Sequence, residues 1–191
     1  MCEMQTAGGA ESLTAGPFRK ERVAQFRRAA LLKWGLILGV AGVGLALDQI
    51  TKRIAEDRMP LGQVYELIPF LALQRTQNSG VSFGMFKGQT WLIVLATVVA
   101  VIVVLAFVRM EKRPVMAGVA GGLVLAGTFG NNVFDRLRQG YVTDFIKLPY
   151  WPNFNVADIA LVAGVGLLIW MLIRSLLAAE AKRDSQSHDS H

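Results

Sequence analysis

Residues 127–158 read GTFGNNVFDRLRQGYVTDFIKLPYWPNFNVAD, a polar stretch that lies between two long apolar runs. Charged groups beside segments of hydrocarbon length are costly to keep near a membrane, so such a stretch indicates a functional site. A solvated loop with helix caps is the structural alternative. The charged side chains of the stretch are Asp135, Arg136, Arg138, Asp144, Lys147 and Asp158.

The composition around this stretch indicates a membrane protein. Of the 191 residues, 53% are hydrophobic and 18% are charged, whereas roughly a quarter of the residues of a soluble domain are charged. The formal net charge is +6. Because the basic residues stand at the ends of apolar runs, we interpret them by the positive-inside rule and predict no nucleic-acid partner.

The sequence offers few residues for metal, disulfide or thiol chemistry. Cys2 is the one cysteine, so an intrachain disulfide is excluded. His188 and His191 lie in a polar tail and have no metal-site spacing. We therefore predict no metal and no cofactor.

Four apolar runs approach the ~20 residues that cross a bilayer. In the first, Lys33 is expected to extend toward the membrane surface, and four glycines offer small faces for close helix packing. The glycines are Gly35, Gly39, Gly42 and Gly44, and the four predicted spans are about 31–47, 91–108, 115–134 and 156–177.

Polar segments flank the spans at both ends. Residues 1–30 are predicted to be a disordered or loosely ordered tail without a secretory signal peptide. The basic run at residues 18–33 is expected at the cytoplasmic end of the first span, and a basic surface helix is the alternative. Residues 178–191 form a second polar tail.

The distribution of lysine and arginine predicts the orientation. Twelve of the 20 basic residues belong to the amino-terminal region, the short loop after the second span and the carboxyl-terminal end. This excess places both termini in the cytoplasm. Residues 48–90 and 135–155 then lie outside, and their acidic and amide residues converge at one membrane face.

The loop at residues 53–90 contains further patterns. The segment QVYELIPFLALQRTQN (63–78) predicts one or two short strands. Asn78 and Gly80 suit a turn, and a turn that directs the Asn78 amide into a site is the functional alternative. Asp48 and Lys52 are four residues apart and are predicted to form a salt bridge at a helix end.

Two similar tetrads, Asn132-Val-Phe-Asp135 and Asn155-Val-Ala-Asp158, occur in the polar stretch. Asn155 and Asp158 have the spacing of a helix capping box. Several carboxylates without a histidine or cysteine partner also fit hydrolysis by two aspartates that share a proton, where one activates water and the other polarises a carbonyl. The residues alone do not identify which two of the three aspartates would act.

At these positions the sequence resembles the lipoprotein signal peptidase (signal peptidase II) family of bacterial membrane aspartyl proteases. The resemblance covers about residues 31–177. One departure is Asn131, where the family usually has Gly. The matching motifs are Asp48-x-x-x-Lys52, Asn78-x-Gly80-x-x-Phe83, Asn132-x-x-Asp135-Arg136, Gly140-x-Val142-x-Asp144-Phe145 and Phe154-Asn155-x-Ala157-Asp158.

The resemblance implies a fold, a reaction and a location. The fold would be an all-α membrane protein of four transmembrane helices with a small extracytoplasmic β-cradle. The enzyme would remove the signal peptide from diacylglyceryl-modified prolipoproteins just before the lipid-modified cysteine. It would act as a monomer in lipid, in the bacterial inner membrane, without a cofactor. Residues 31–177 would be the peptidase domain between two cytoplasmic tails, 1–30 and 178–191.

By the same resemblance, Asp144 and Asp158 would be the catalytic pair. The supporting residues would hold the substrate or order the pair, and they are Asp48, Lys52, Asn78, Gly80, Asn132, Asp135, Arg136 and Asn155. We further expect the 53–90 loop to move as a lid over this site.

Two other functions remain as alternatives. A proton-coupled transporter would have acidic residues at several depths of the bilayer, whereas the predicted topology gathers them at one face. A non-enzymatic scaffold packed through its glycines would keep its function when aspartates are changed to asparagine.

Overall fold

The computed structural model describes residues 17–79 and 90–188. Gly80, Phe83 and the rest of residues 80–89 of the expected lid lie outside these residues. The described part of the chain is mainly helical, with one small sheet and one π-helix. In chain order its elements are α1 (Pro17–Arg58), β1 (Val64–Ile68), β2 (Leu71–Asn78), α2 (Thr90–Met110), α3 (Pro114–Thr128), the π-helix (Phe129–Asp135), α4 (Arg136–Gln139), β3 (Val142–Lys147) and α5 (Val156–His188).

Helix α1 is longer at both ends than the predicted first span. It begins at Pro17, a residue suited to a first helical turn, and includes the basic run that we expected to be loosely ordered. It ends at Arg58, so the first residues of the predicted 53–90 loop are helical. Alanine, leucine, lysine, arginine and glutamate favour helix, and their frequency at both ends explains the added turns.

Helix α3 occupies the centre of the helical part and packs against α1, α2 and α5. Its alanines and glycines are buried, which lets neighbouring backbones approach closely. Of the four glycines predicted to pack, Gly44 faces Ala126 of α3. An added Cβ at Gly35, Gly39 or Gly42 would meet no heavy atom of the described chain within 4 Å.

Lys33 holds α1 to the end of α2. We expected its ammonium to extend toward the membrane surface, but the residue is buried. Its Nζ donates to the Val108 carbonyl at 2.9 Å and to the Glu111 carbonyl at 2.6 Å. Carbonyls at the end of a helix have no partner within the helix, so a buried lysine is stabilised there.

The sheet is antiparallel with the order β1-β2-β3. The prediction of one or two short strands within residues 63–78 is confirmed, and there are two, β1 and β2, in which Val64 pairs with Gln74. The residue patterns had not predicted β3. It pairs with β2 so that Thr76 lies opposite Asp144, which brings Asp144 beside the end of β2.

The predicted third span changes character before it ends. Its α-helix stops at Thr128, and residues Phe129–Asp135 form a π-helix. A π-helix bonds residue i to i+5, is rare and occurs frequently at functional sites. This segment lies at the end of α3, within the polar stretch.

Three helical stretches of the described chain are long and apolar enough to cross a membrane, namely Glu21–Arg58, Pro114–Gln139 and Val156–Ala181. A shorter apolar helical stretch, Thr97–Met110, belongs to α2. The prediction of a membrane protein is therefore supported.

Candidate active site

A cavity of about 660 Å³ opens between the sheet and the ends of α3 and α5. Its walls combine polar residues of β2 with aromatic residues of the β3–α5 connection and apolar residues of α5. Both predicted catalytic aspartates line it. The lining residues discussed below are Asn78, Asn131, Asn132, Arg136, Asp144 and Asp158.

Asn155 connects the two aspartates and is fully buried. Its Nδ2 donates to Asp144 Oδ1 at 2.7 Å. Its Oδ1 accepts from the Asp158 backbone N–H at 3.1 Å. One asparagine side chain therefore fixes the end of β3 relative to the first turn of α5.

The predicted capping box of α5 is confirmed. The Asn155 backbone N–H donates to Asp158 Oδ2 at 3.0 Å, and Asn155 Oδ1 accepts from the Asp158 N–H. The second carboxylate oxygen, Asp158 Oδ1, accepts from Asn131 Nδ2 at 2.8 Å. Asp158 thus caps a helix and faces the cavity at the same time.

Asp144 is buried at the end of the β2–β3 ladder. Its Oδ2 accepts from Asn78 Nδ2 at 3.1 Å, in addition to the contact from Asn155. Burial and, after it, the charge of Asp158 raise the pKa of Asp144 to about 7, although both donated hydrogen bonds act in the opposite direction. Asp144 is therefore suited to hold a proton at neutral pH.

A buried ion network supports the site from α1. Lys52 Nζ lies 2.7 Å from Asp48 Oδ2, 2.6 Å from Asp135 Oδ2 and 2.6 Å from Asn131 Oδ1. The predicted Asp48–Lys52 salt bridge is confirmed. However, it lies within α1, ten residues before Arg58, and it is buried.

Asp48 connects this network to α5. Its Oδ1 accepts from the Ala157 backbone N–H at 2.9 Å, one of the donors that the start of a helix leaves without an intrahelical partner. Gly130 allows the approach, because an added Cβ there would lie 2.6 Å from Asp48 Oδ2. The position of Asp158 thus depends on α1 as well as on its own helix.

The neighbouring residue Asn132 has different partners. Its Nδ2 donates to Thr97 Oγ1 of α2 at 2.9 Å, and its Oδ1 accepts from Arg136 Nε at 3.5 Å. Arg136 is buried and lines the cavity. Among the side-chain hydrogen bonds found, Asn131 and not Asn132 reaches the aspartate pair.

The structure brings nine of the ten predicted site residues into this region, and the tenth, Gly80, lies outside the described residues. The acidic residues gather at one end of the helices, which argues against the transporter alternative. Sequence reasoning missed Asn131 as a contact of Asp158, and Thr97 as a partner of Asn132. Within residues 17–79 and 90–188, no three His, Cys, Asp or Glu side chains form a group that could hold a metal ion.

The sequence and the fold match known proteins over most of the chain. The family model described as Signal peptidase (SPase) II matches residues 40–174. A Lipoprotein signal peptidase of Symbiobacterium thermophilum is 41% identical over 145 residues, which are 72% of this chain and 94% of that protein. One from Teredinibacter turnerae is 39% identical over 150 residues, covering 74% and 87%.

A solved structure agrees with these matches. A bacterial membrane enzyme determined by the in meso method at 2.3 Å resolution superposes with a TM-score of 0.68 at 31% sequence identity. The superposition covers 74% of this chain and 90% of the other.

Proposed function

The chain belongs to the signal peptidase II family, and from this membership we propose that Asp144 and Asp158 are the catalytic pair of its reaction. It is a membrane protease that removes signal peptides from lipoproteins. The finer proposal is an aspartyl endopeptidase that acts on diacylglyceryl-modified prolipoproteins and cuts just before the lipid-modified cysteine.

The assignment of Asp144 and Asp158 as the catalytic pair rests on one observation. Asp144 and Asp158 line the same cavity, and Asn155 is hydrogen-bonded to both. Asp158 accepts two hydrogen bonds at the first turn of α5, where the helix dipole favours a negative charge. Asp144 has a raised pKa. Asp144 also accepts two hydrogen bonds, so the helix dipole at Asp158 is the difference that suits one ionised and one protonated carboxyl group.

The reaction follows from this division. Asp158 takes a proton from a water molecule as the water oxygen bonds to the scissile carbonyl carbon, and Asp144 gives its proton to the carbonyl oxygen. As the C–N bond breaks, Asp158 returns the proton to the leaving nitrogen and Asp144 recovers one from the hydroxyl. Both carboxyl groups then have their starting charges.

We propose that the protein is a monomer in contact with lipid and that four of its helices cross the bacterial inner membrane. The 21-residue apolar helix α2 supports a fourth span. Both termini would be cytoplasmic and the site would lie at the outer face. Residues 31–177 would form the peptidase domain, with tails at 1–30 and 178–191. Asp48, Lys52, Asn78, Gly80, Asn132, Asp135, Arg136 and Asn155 would support the site.

Cleavage of a lipidated prolipoprotein by the purified protein tests this function. The wild-type protein should release the signal peptide, whereas Asp144→Asn and Asp158→Asn should not, because neither variant retains two carboxyl groups that exchange a proton. Added chelator should leave the wild-type rate unchanged.

Asp57→Asn is a matched control. Asp57 is exposed on α1, where it pairs with Arg53 at 3.4 Å, and exposed pairs contribute little to stability. This variant should cleave at the wild-type rate. Cleavage by Asp144→Asn or Asp158→Asn would refute the proposed pair.

A further inference from the structure

We infer that Asn131 is a positioning residue that links the buried Lys52 ammonium to the carboxylate of Asp158. The inference rests on the proposed function, in which Asp158 is the ionised member of the pair. It assigns to Asn131 a task that the resemblance had given to Asn132.

The orientation of the Asn131 amide follows from its neighbours. Lys52 Nζ can only donate, and it lies 2.6 Å from Asn131 Oδ1. That oxygen must therefore face the lysine, and the Nδ2 group must face Asp158 Oδ1, 2.8 Å away. The ammonium thus fixes a donor toward the carboxylate, and it polarises that donor through the amide.

The same contacts explain why a lysine can serve Asp158 from a distance. Lys52 donates hydrogen bonds to Asp48 Oδ2 and Asn131 Oδ1, and it forms an ion pair with Asp135 Oδ2. None of these three contacts joins the ammonium to Asp158 directly. Asn131 is the side chain through which this cation reaches the aspartate by hydrogen bonds.

The π-helix gives the two adjacent asparagines separate directions. Gly130 and Asn131 form a Gly-Asn pair. Three residues separate Asn131 from Asp135, whereas two residues separate Asn from Asp in the family motif. A turn that bonds i to i+5 holds one residue more than an α-turn. The π-helix therefore accommodates the additional residue. Asn131 then faces Asp158, and Asn132 faces Thr97 on α2.

The additional residue in the π-helix explains why Asn131 stands where the family usually has Gly. Counting back from Asp135 puts Asn131 at the family's Gly position. Counting forward from Gly130 makes Gly130-Asn131 the Gly-Asn pair of the family. The hydrogen bonds favour the forward count.

Other charged groups act on the same carboxylate and must be held constant in a test. Asp48 and Lys52 of α1 and Asp144 of β3 interact with Asp158 itself. Asp135 and Arg136 interact with Lys52 and Asp144 and so act on Asp158 indirectly. A variant at Asn131 that introduces no charge leaves all of them unaltered.

The first test replaces Asn131 by Leu, which is similar in size and makes no hydrogen bond. Loss of a hydrogen bond to a charged group is expected to lower kcat about 10- to 100-fold. The acid limb of the kcat profile should move to higher pH, because ionised Asp158 has lost a donor. KM should remain near the wild-type value. Unchanged kcat and an unmoved acid limb would overturn the inference.

Asn131→Asp removes the hydrogen-bond donor to Asp158 but keeps an acceptor for Lys52. At pH 8 its carboxylate still accepts from Lys52, but it offers Asp158 no donor and adds a like charge beside it, so its loss of kcat is interpreted together with that of the uncharged Asn131→Leu. This variant should therefore be impaired as Asn131→Leu is. A wild-type kcat for Asn131→Asp would show that only the lysine contact matters, and would refute the link to Asp158. Because the substitution is isosteric, it keeps the test available even where Asn131→Leu unfolds.

Thr97→Val is the matched control. It removes the acceptor for Asn132 and should leave the acid limb where it is in the wild type. If Thr97→Val shifted the acid limb of the kcat profile as far as Asn131→Leu does, any weakening of packing near the site would move that limb. This result would overturn the inference. If Asp144→Asn and Asp158→Asn still cleave, the proposed function fails. If they are inactive while Asn131→Leu and Asn131→Asp match the wild type, only the link fails.

Discussion

At the scale of single residues, the partners of Asp144 indicate which of its oxygens carries the proton. Asn155 Oδ1 is engaged by the Asp158 N–H, so Asn155 Nδ2 must donate to Asp144 Oδ1. A proton on Asp144 therefore belongs on Oδ2, which faces Asn78. The two ends of an amide have the same shape, so Asn78 can turn its oxygen toward that proton.

Asp144→Asn should consequently destabilise the protein less than Asp158→Asn. An amide at 144 reproduces the neutral acid, with its oxygen toward Asn155 and its NH₂ toward Asn78. An amide at 158 has one acceptor oxygen for two donors, Asn131 and the Asn155 backbone. Leaving one buried donor unsatisfied costs about 1–3 kcal/mol. Thermal unfolding of both variants in detergent measures the difference, and a larger loss for Asp144→Asn would contradict the assignment.

The raised pKa of Asp144 also predicts a pH dependence of stability. The unfolded chain releases this proton near pH 3.8, whereas the folded protein keeps it to about 7. Between these values the unfolded state binds fewer protons, so the contribution of Asp144 to stability falls as pH rises. Asp144→Asn removes this slope. Its Tm relative to wild type should rise between pH 4 and 7, and a constant difference would reject the shift.

At the scale of elements, the sequence was informative where local chemistry decides the structure. The Asn155–Asp158 spacing specified the start of α5, and the alternation in residues 63–78 specified β1 and β2. The π-helix could not be predicted, because Asn131 faces Asp158 only when Lys52 and Asp48 pack beside it. For β3, the stretch VTDFIK depends on pairing with β2, which lies more than 60 residues earlier. The carboxyl pair itself was identified by resemblance.

The close approach at Gly130 predicts that an added methyl group would disturb the contact between the π-helix and α1. A Cβ in Gly130→Ala would lie 2.6 Å from Asp48 Oδ2 and 3.2 Å from Ala157 Cβ. Overpacking of this kind costs about 1–3 kcal/mol, and displacement of Asp48 would weaken the capping of α5. We expect a lower Tm and lower cleavage activity.

Gly42→Ala provides the comparison for Gly130→Ala. An added Cβ at Gly42 meets no described heavy atom within 4 Å, and alanine in a helix is favoured over glycine by about 0.8–1 kcal/mol. Its Tm should match or exceed that of the wild type. Equal Tm values for the two alanine variants would contradict the close packing at Gly130.

At the scale of the whole molecule, the four proposed spans predict where each loop lies. Reporter fusions at Lys87 and Pro149 should give an outside signal, and a fusion at Lys112 an inside signal, because the basic residues favour the cytoplasm. Activity-based reporters of opposite compartments measure this. An outside signal at Lys112 would contradict the four-span topology and the placement of the site at the outer face.

We take the two buried charges of α1 as markers of the membrane thickness that this protein fits. Lys33 and Asp48 are separated by about 22 Å at 1.5 Å per residue. The hydrocarbon core of a typical bilayer is about 30 Å thick, and each ångström of mismatch costs a fraction of a kcal/mol. We therefore expect the surrounding lipid to thin toward the protein, which would make the acyl-chain length of the membrane a physical control on how easily its active site is reached.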